Sequence, residues 1–329
     1  MIDDLISRMF SIRDDASFTE IALEVFRFQS VHNPVYKEYI RSLGREAGLI
    51  NRLCDIPFLP VEFFKTHTII PEGYETSMLF ESSRTTSSVP SRHFIVNTEL
   101  YDQSLVRSFN LFYGDPSIYC ILALLPSFTE RKNSSLAYMV NHLIRLSHNP
   151  DSGFYPEHLN NLAEKLKFLD GKQQRILLIG VSFAVMDLAS LDLFALKNTI
   201  IMETGGMKGT RKEITREEMH AYLCSRFGTG TIHSEYGMTE LLSQAYSTGN
   251  GIFRTPPWMK VLIREINDPL SFPVTGYPGG INIIDLANIF SCSFIETRDI
   301  GQALPDDSFK VLGRLDESEM RGCNLLFSD

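Results

Sequence analysis

The sequence predicts an α/β protein with mostly parallel sheets covered by helices and a small β subdomain toward the C-terminus. Three observations predict it. Short β-branched apolar runs alternate with helical patterns from about residue 78 to residue 233. Apolar residues make up 43% of the 329-residue chain and charged residues 22%, enough to bury a sizeable core. After Gly251 the helical pattern fades and short strand-like runs sit between Pro and Gly turns.

The elements follow in order. Ser17 and Glu20 are spaced as a capping box and open a helix carrying Ile21, Leu23, Val25, Phe26 and Phe28. Asn33-Pro34 is an N-cap followed by Pro at the first helical position, and that helix runs toward Leu43. The segment IPFLPVEFF, punctuated by Pro, reads as packed structure or as a wall for an acyl group. Met78–Phe80 and His93–Val96 read as strands around a Ser/Thr-rich loop, and a helix follows Thr98 over 100–112. Ile118–Leu125 reads as a buried strand, with helices at Ser134–Leu146 and Pro156–Leu169 after it. Arg175–Ile179, Phe183–Leu196 and Thr199–Met202 read as strand, helix and strand. Thr215 and Glu218 form a second capping box before a helix ending near Phe227, and Thr231–His233 is a short strand. Four further strands are expected at Met259–Ile263, Gly280–Ile284, Cys292–Glu296 and Phe309–Leu312. The chain therefore divides into a helical N-terminal region (1–70), an α/β core (71–250), a β-rich subdomain (251–312) and a tail (313–329). Only seventeen residues follow the last strand, so a separate C-terminal domain is not expected.

Charge and composition narrow the function classes. Lys and Arg total 31 against 40 Asp and Glu, a formal net charge of −9, so the chain has no global basic footprint for nucleic acid or anionic membrane. Its longest apolar run, Ile118–Leu125, falls far short of the ~20 residues that span a bilayer. The start, MIDDLISRMF, lacks the basic and apolar regions of a secretory signal. The five cysteines are widely spaced with no CxxC, which supports neither a zinc site nor a disulfide framework and predicts a cytoplasmic protein with reduced thiols.

Four segments are suited to chemistry. FESSRTTSSVPSRH (80–93) crowds seven hydroxyl residues beside Arg84 and Arg92; such a turn wraps a polyphosphate, or is simply a solvated polar loop. It is not a Walker A loop. METGGMKGTRKEIT (202–215) follows a strand; Gly205, Gly206 and Gly209 permit close backbone approach, and Lys208, Arg211 and Lys212 suit an anion, though a solvated strand-to-helix loop has the same composition. HSEYGMTE (233–240) also follows a strand, at the edge where open α/β sheets bind ligands. There Tyr236 offers a flat face for a base, while Thr239 and Glu240 offer a hydroxyl and a carboxylate for phosphate and Mg²⁺. His233 reads as a core histidine. In the tail, TRDIG (297–301) places Asp299 after a strand, where a carboxylate accepts ribose hydroxyls, and LGRLDESEMRGC (312–323) follows.

Together, SSRTTSSVPSRH, ETGGMKGTRKEIT, SEYGMTEL, RDIG and GRLDESEMRGC resemble, in order and approximate spacing, the core motifs of adenylate-forming enzymes. The match looks most like the LuxE-type acyl-protein synthetases and spans about residue 20 to the C-terminus. SEYGMTE and ETGGxKG are its specific parts. The resemblance implies the large-domain fold of that superfamily and an ATP- and Mg²⁺-dependent activation of a fatty or other carboxylic acid to an acyl-adenylate. The acyl group then passes to a cysteine thiolate, here Cys323, and on to an acyl-accepting partner protein. By the same resemblance Ser82, Ser83, Thr85 and Thr86 hold phosphates, and Gly205, Gly206 and Tyr236 frame the adenine. Thr239 touches the α-phosphate, Glu240 binds Mg²⁺, Asp299 holds the ribose and Arg314 supports it. Arg84 and Ser87 stand where the family's phosphate loop has glycines.

Two alternatives remain open on the sequence. Gly180, Ser182 and Ala184 approximate a G-x-S-x-G nucleophile elbow, with His220 and His233 the only later histidines, which would suit a serine acyltransferase or thioesterase. The replaced glycines would suit a non-catalytic protein that binds an acyl group or nucleotide without turnover.

Overall fold

The structure is a computed structural model; it describes residues 2–83, 89–205, 214–266, 268, 271–273 and 276–315. The chain forms two compact units. One comprises Met1–Leu79, Ser87–Thr98 and Arg254–Asp329, the other Phe80–Thr86 and Glu99–Phe253.

The second unit is built on a six-stranded sheet. In spatial order its strands are Gly153–Phe154, Cys120–Leu124, Ile176–Val181, Thr199–Thr204, His233–Tyr236 and Ala245–Ser247. All pairings are parallel except the last, in which Glu235 faces Tyr246. The central strands are buried on both faces, which explains why CILAL and ILLIGV read as continuous apolar runs rather than alternating ones. One face packs against the helices Leu159–Gly171, Ser182–Leu191 and Arg216–Phe227 around Leu122, Leu178, Leu188 and Phe227. The helix Thr98–Tyr113 covers the other, where its Tyr113 hydroxyl meets His233 Nδ1 at 3.2 Å.

Helix starts follow local chemistry. Thr215 Oγ1 accepts from the Glu218 amide at 3.1 Å while Glu218 Oε2 accepts from the Thr215 amide at 2.9 Å, so the second capping box is complete. Ser134 caps Ser135–Ser147 in the same manner without the reciprocal bond. The helix expected from Pro156 starts only at Leu159.

In the first unit the N-terminal helices and the late strands fold together, although they read as separate segments. The strands Met259–Arg264, Pro278–Asp285, Phe294–Ala303 and Phe309–Arg314 form an antiparallel ladder, with Leu59–Pro60 added in parallel to Phe294–Ala303. Helix Asp15–His32 is pinned to this part by the buried Gln29. Its Nε2 donates to the Asn288 and Ile289 carbonyls at 2.9 and 3.0 Å, and its Oε1 accepts from the Ser293 amide at 3.0 Å. Asn33 caps helix Pro34–Ser42 through the Tyr36 amide at 3.1 Å and donates to the Ser291 carbonyl at 2.8 Å. Phe26, Tyr36, Phe58 and Phe294 complete this core with ring contacts. The first capping box differs from the expected one: Asp14 is the N-cap and Ser17 occupies the third helical position, because a carboxylate accepts the Ser17 amide at 2.8 Å.

Among the described residues no helix is long and apolar enough to cross a membrane.

Candidate functional site

Three parallel strands of the second unit end side by side, at Val181, Thr204 and Tyr236, and the chain turns sharply after each. In open α/β sheets this edge is where ligands bind, because the strand ends leave backbone groups and loop side chains facing outward. Two of the chemistry-bearing motifs, METGG and SEYGMTE, leave the sheet here in register, with Thr204 opposite Glu235.

Gly205 is exposed with φ +77°, a conformation that favours glycine, and among the described residues no atom lies within 4 Å of where a side chain would start. Among the described residues, nothing fills this corner. Its carbonyl is held by the Ser182 hydroxyl, whose oxygen lies 2.6 Å away and also lies 2.7 Å from Glu203 Oε2. Ser182 thus ties the start of one helix to the end of the neighbouring strand. It is buried, both partners are acceptors, and no histidine is among its hydrogen-bond partners, so the geometry lacks the base of a serine hydrolase. The adjoining Gly180 is explained by packing, since a side chain there would overlap Leu124 of the next strand.

Two buried acids stand at this edge, one on each face of the sheet, because neighbouring register positions alternate faces. Glu203 faces helix Arg216–Phe227. Its Oε1 makes no hydrogen bond, but Arg216 Nε lies at 3.4 Å and His220 Nε2 at 3.5 Å; His220 Nε2 also lies 3.4 Å from Ser234 Oγ. Burial disfavours the Glu203 charge, yet His220, Arg216, Ser234 and Ser182 outweigh it, and the carboxyl stays below its usual pKa. Glu235 faces the other way and accepts a short hydrogen bond from Thr204 Oγ1. Burial, with the charge of Glu203 adding to it, lifts its pKa to about 7 against the Thr204 bond. Sequence reasoning passed over both acids; the signal was a glutamate standing inside an apolar strand pattern, TIIMET and IHSEY.

The predicted site residues fall as follows. Tyr236 ends its strand largely buried, edge-on to Phe253 at 5.9 Å, with its hydroxyl 3.9 Å from Met238 Sδ, rather than as a free flat surface. Thr239 is half-buried and Glu240 buried in the turn that follows. Ser82 and Ser83 leave the strand Met78–Glu81, whose end is fixed by Asn133: its carbonyl accepts from the Glu81 amide at 2.7 Å and its Nδ2 donates to Glu81 Oε2 at 2.9 Å. Ser82 is half-buried and Ser83 exposed. Asp299 and Arg314 belong to the first unit, where they face each other across adjacent strands with Arg314 Nε 4.0 Å from Asp299 Oδ1. Thr85, Thr86, Gly206 and Cys323 lie outside the described residues, as do Arg84 and Ser87.

The residues present suit a nucleotide with its cation. Gly205 leaves open space beside a backbone corner, and Glu240 supplies one buried carboxylate. Among the described residues no group of three His, Cys, Asp or Glu side chains gathers to cage a metal. A Mg²⁺ ion held mainly by phosphate oxygens and one carboxylate needs no such cage.

No family profile matches the chain, and no curated protein matches it in sequence. Solved structures do match in fold. A 2-hydroxyisobutyryl-CoA ligase in its postadenylation state, in complex with R3-HIB-AMP, superposes with TM-score 0.67 at 13% identity, covering 92% of this chain and 68% of that one. ATP-bound MatB from Rhodopseudomonas palustris gives 0.56 at 13% identity, over 83% and 51%. The luciferase-like enzyme of the nonluminescent mealworm Zophobas morio gives 0.55 at 13% identity, over 83% and 61%. The chain thus has the α/β fold of adenylate-forming enzymes and spans about half to two-thirds of these proteins' length.

Proposed function

We propose that this chain is an ATP-dependent acyl-protein synthetase of the LuxE type, acting in the cytoplasm. The observation that carries the reading is the pair of loops METGG and SEYGMTE leaving adjacent parallel strands in register, on a fold shared with a ligase seen with R3-HIB-AMP and with ATP-bound MatB. A carboxylate oxygen of the acid attacks the α-phosphorus of ATP. The bond to the β-phosphate oxygen breaks, and pyrophosphate leaves with an acyl-adenylate formed. The Cys323 thiolate then attacks the acyl carbon and AMP departs, leaving a thioester for transfer to a partner protein.

The roles follow the resemblance and the local chemistry. Ser82, Ser83, Thr85 and Thr86 hold phosphate oxygens by hydroxyl and amide donors. Gly205 admits the adenine at its open corner, and by the resemblance Gly206 and Tyr236 frame it. Thr239 donates to the α-phosphate, where charge develops. Glu240 takes the Mg²⁺, and Asp299 accepts the ribose hydroxyls with Arg314 beside it. Arg321, two residues before Cys323, favours the thiolate.

Acid-dependent exchange of labelled pyrophosphate into ATP tests the first half-reaction. We expect exchange with at least one acid in a panel of short, hydroxylated, amino-bearing and long-chain acids. Cys323→Ser leaves exchange intact, and Glu240→Gln lowers it roughly 100-fold or more, as removal of a transition-state electrostatic contact does. Absence of exchange with every acid, together with no thermal shift by ATP-Mg²⁺, would overturn the synthetase reading in favour of a non-catalytic binding protein.

A further inference from the structure

Behind the SEYGMTE loop, on the sheet face that carries Glu235, three buried polar atoms have no hydrogen-bond partner among the described residues: Ser108 Oγ, Gln244 Oε1 and the Tyr246 hydroxyl. Their residues are 0%, 4% and 2% exposed. Each such atom costs about 1–3 kcal/mol when left unpaired, so three on one face of one unit call for an explanation.

They lie on neighbouring elements around Glu235 and Tyr246. Tyr246 lies directly opposite Glu235 across the antiparallel pair, and its ring packs against Phe112 and Tyr113 of helix Thr98–Tyr113, at 5.2 and 5.3 Å between centroids. Ser108 is one turn before Phe112 on that helix and one turn after Ser104, whose hydroxyl meets Ser243 Oγ at 3.0 Å. Gln244 lies beside Glu235. A side chain at Gly237 would overlap the Glu235 carboxylate and meet Gln244 Cγ at 3.6 Å, so Glu235 and Gln244 flank one turn of backbone.

We infer that these residues receive a hydrogen-bond donor on the chain of the acid being activated, so that the substrate is a short carboxylic acid bearing a hydroxyl or an ammonium group rather than a plain fatty acid. This rests on the synthetase reading above and names its substrate class. The chemistry of the lining argues for a donor. Gln244 Oε1 can only accept, the Tyr246 and Ser108 hydroxyls each accept as well as donate, and Glu235 adds a carboxyl. A plain alkyl chain would leave the Ser108, Gln244 and Tyr246 atoms unpaired. The Phe112 and Tyr113 rings pack directly on Tyr246 and leave little depth beside it, which argues for a short chain. The raised pKa of Glu235 fits either donor: neutral beside a hydroxyl, ionised beside an ammonium.

The test is pyrophosphate exchange by the full chain on matched short acids that differ only in a hydroxyl, an amino group or neither, with a long-chain fatty acid as a fourth arm. We expect kcat/KM to favour a donor-bearing acid by roughly 10- to 100-fold over its unsubstituted match. The pair Tyr246→Phe and Ser108→Ala, both conservative, should shrink that preference to about threefold by slowing the donor-bearing acid alone. The hydroxyl and amino arms separate the two donor sources. Equal or better use of the unsubstituted or fatty acid, or a preference unmoved by the variants, would overturn the inference while leaving the synthetase reading in place. If no acid supports exchange, thermal shift by the acids without ATP decides. A donor-bearing acid that stabilises the wild type and not Tyr246→Phe sustains the inference about these residues while the synthetase reading falls. No shift with any acid means these polar atoms receive no donor from an acid, and overturns it.

Discussion

Glu203 and Glu235 occupy neighbouring register positions on adjacent strands, yet their environments push their ionisation apart. Glu203 is held charged by Arg216 and His220. Glu235 is buried with only hydroxyl help from Thr204, so it keeps its proton to about pH 7. The sign for stability follows. A carboxyl whose folded pKa exceeds its unfolded value of 4.5 binds its proton more tightly when folded, so its contribution is fully present below pH 4.5 and fades as pH rises through 7. The loss is on the order of 3 kcal/mol. Urea unfolding should therefore show the wild type weakening between pH 5 and pH 8, while Glu235→Gln, which carries no proton to lose there, holds a flatter profile. A wild-type profile already flat over that range would place the Glu235 pKa near its ordinary value. Much of this edge was legible in the sequence as motifs, but not as contacts. METGG and SEYGMTE were recognisable by glycine and aromatic spacing, whereas the face each glutamate takes depends on the register of two strands some thirty residues apart. Tyr236 reads as a flat platform, and the structure packs it against Phe253, a contact no local pattern announces.

At the level of elements, most helix starts and strands were readable because they depend on neighbours in sequence. Asn33-Pro34, Ser134 and the Thr215/Glu218 box all cap helices where expected. The exceptions were set by competition or by distant partners. Asp14 displaced Ser17 as a cap because a carboxylate is the better acceptor at a helix N-terminus. The union of the N-terminal helices with the late strands rests on Gln29 and Asn33, whose partners lie some 260 residues away. Gln29→Leu keeps the volume but strands the Ser293 amide and two carbonyls in the core. We expect it to cost about 3 kcal/mol by urea unfolding. Asn161→Ala on the exposed face of helix Leu159–Gly171 should stay within about 0.5 kcal/mol. A Gln29→Leu cost as small as the surface change would mean the amide bonds do not tie these elements together.

For the whole molecule, the fold places motif-bearing loops at the end of a parallel sheet, and the motifs supply the reading of acid activation and capture. The capture step makes the more specific claim, because it assigns a covalent role to one cysteine among five. Cys120 and Cys292 are buried with thiol pKa values raised by burial to about 11 and about 12, which leaves them poor nucleophiles near neutral pH. The measurement that tests the account most directly is the intact mass of the protein after incubation with ATP, Mg²⁺ and a mixture of carboxylic acids, run beside Cys323→Ser. The account predicts an ATP-dependent acyl adduct on the wild type that hydroxylamine removes and that the variant lacks. An adduct that persists on Cys323→Ser would contradict capture at that residue, and no adduct on either protein with any acid would contradict the acyl-protein synthetase itself.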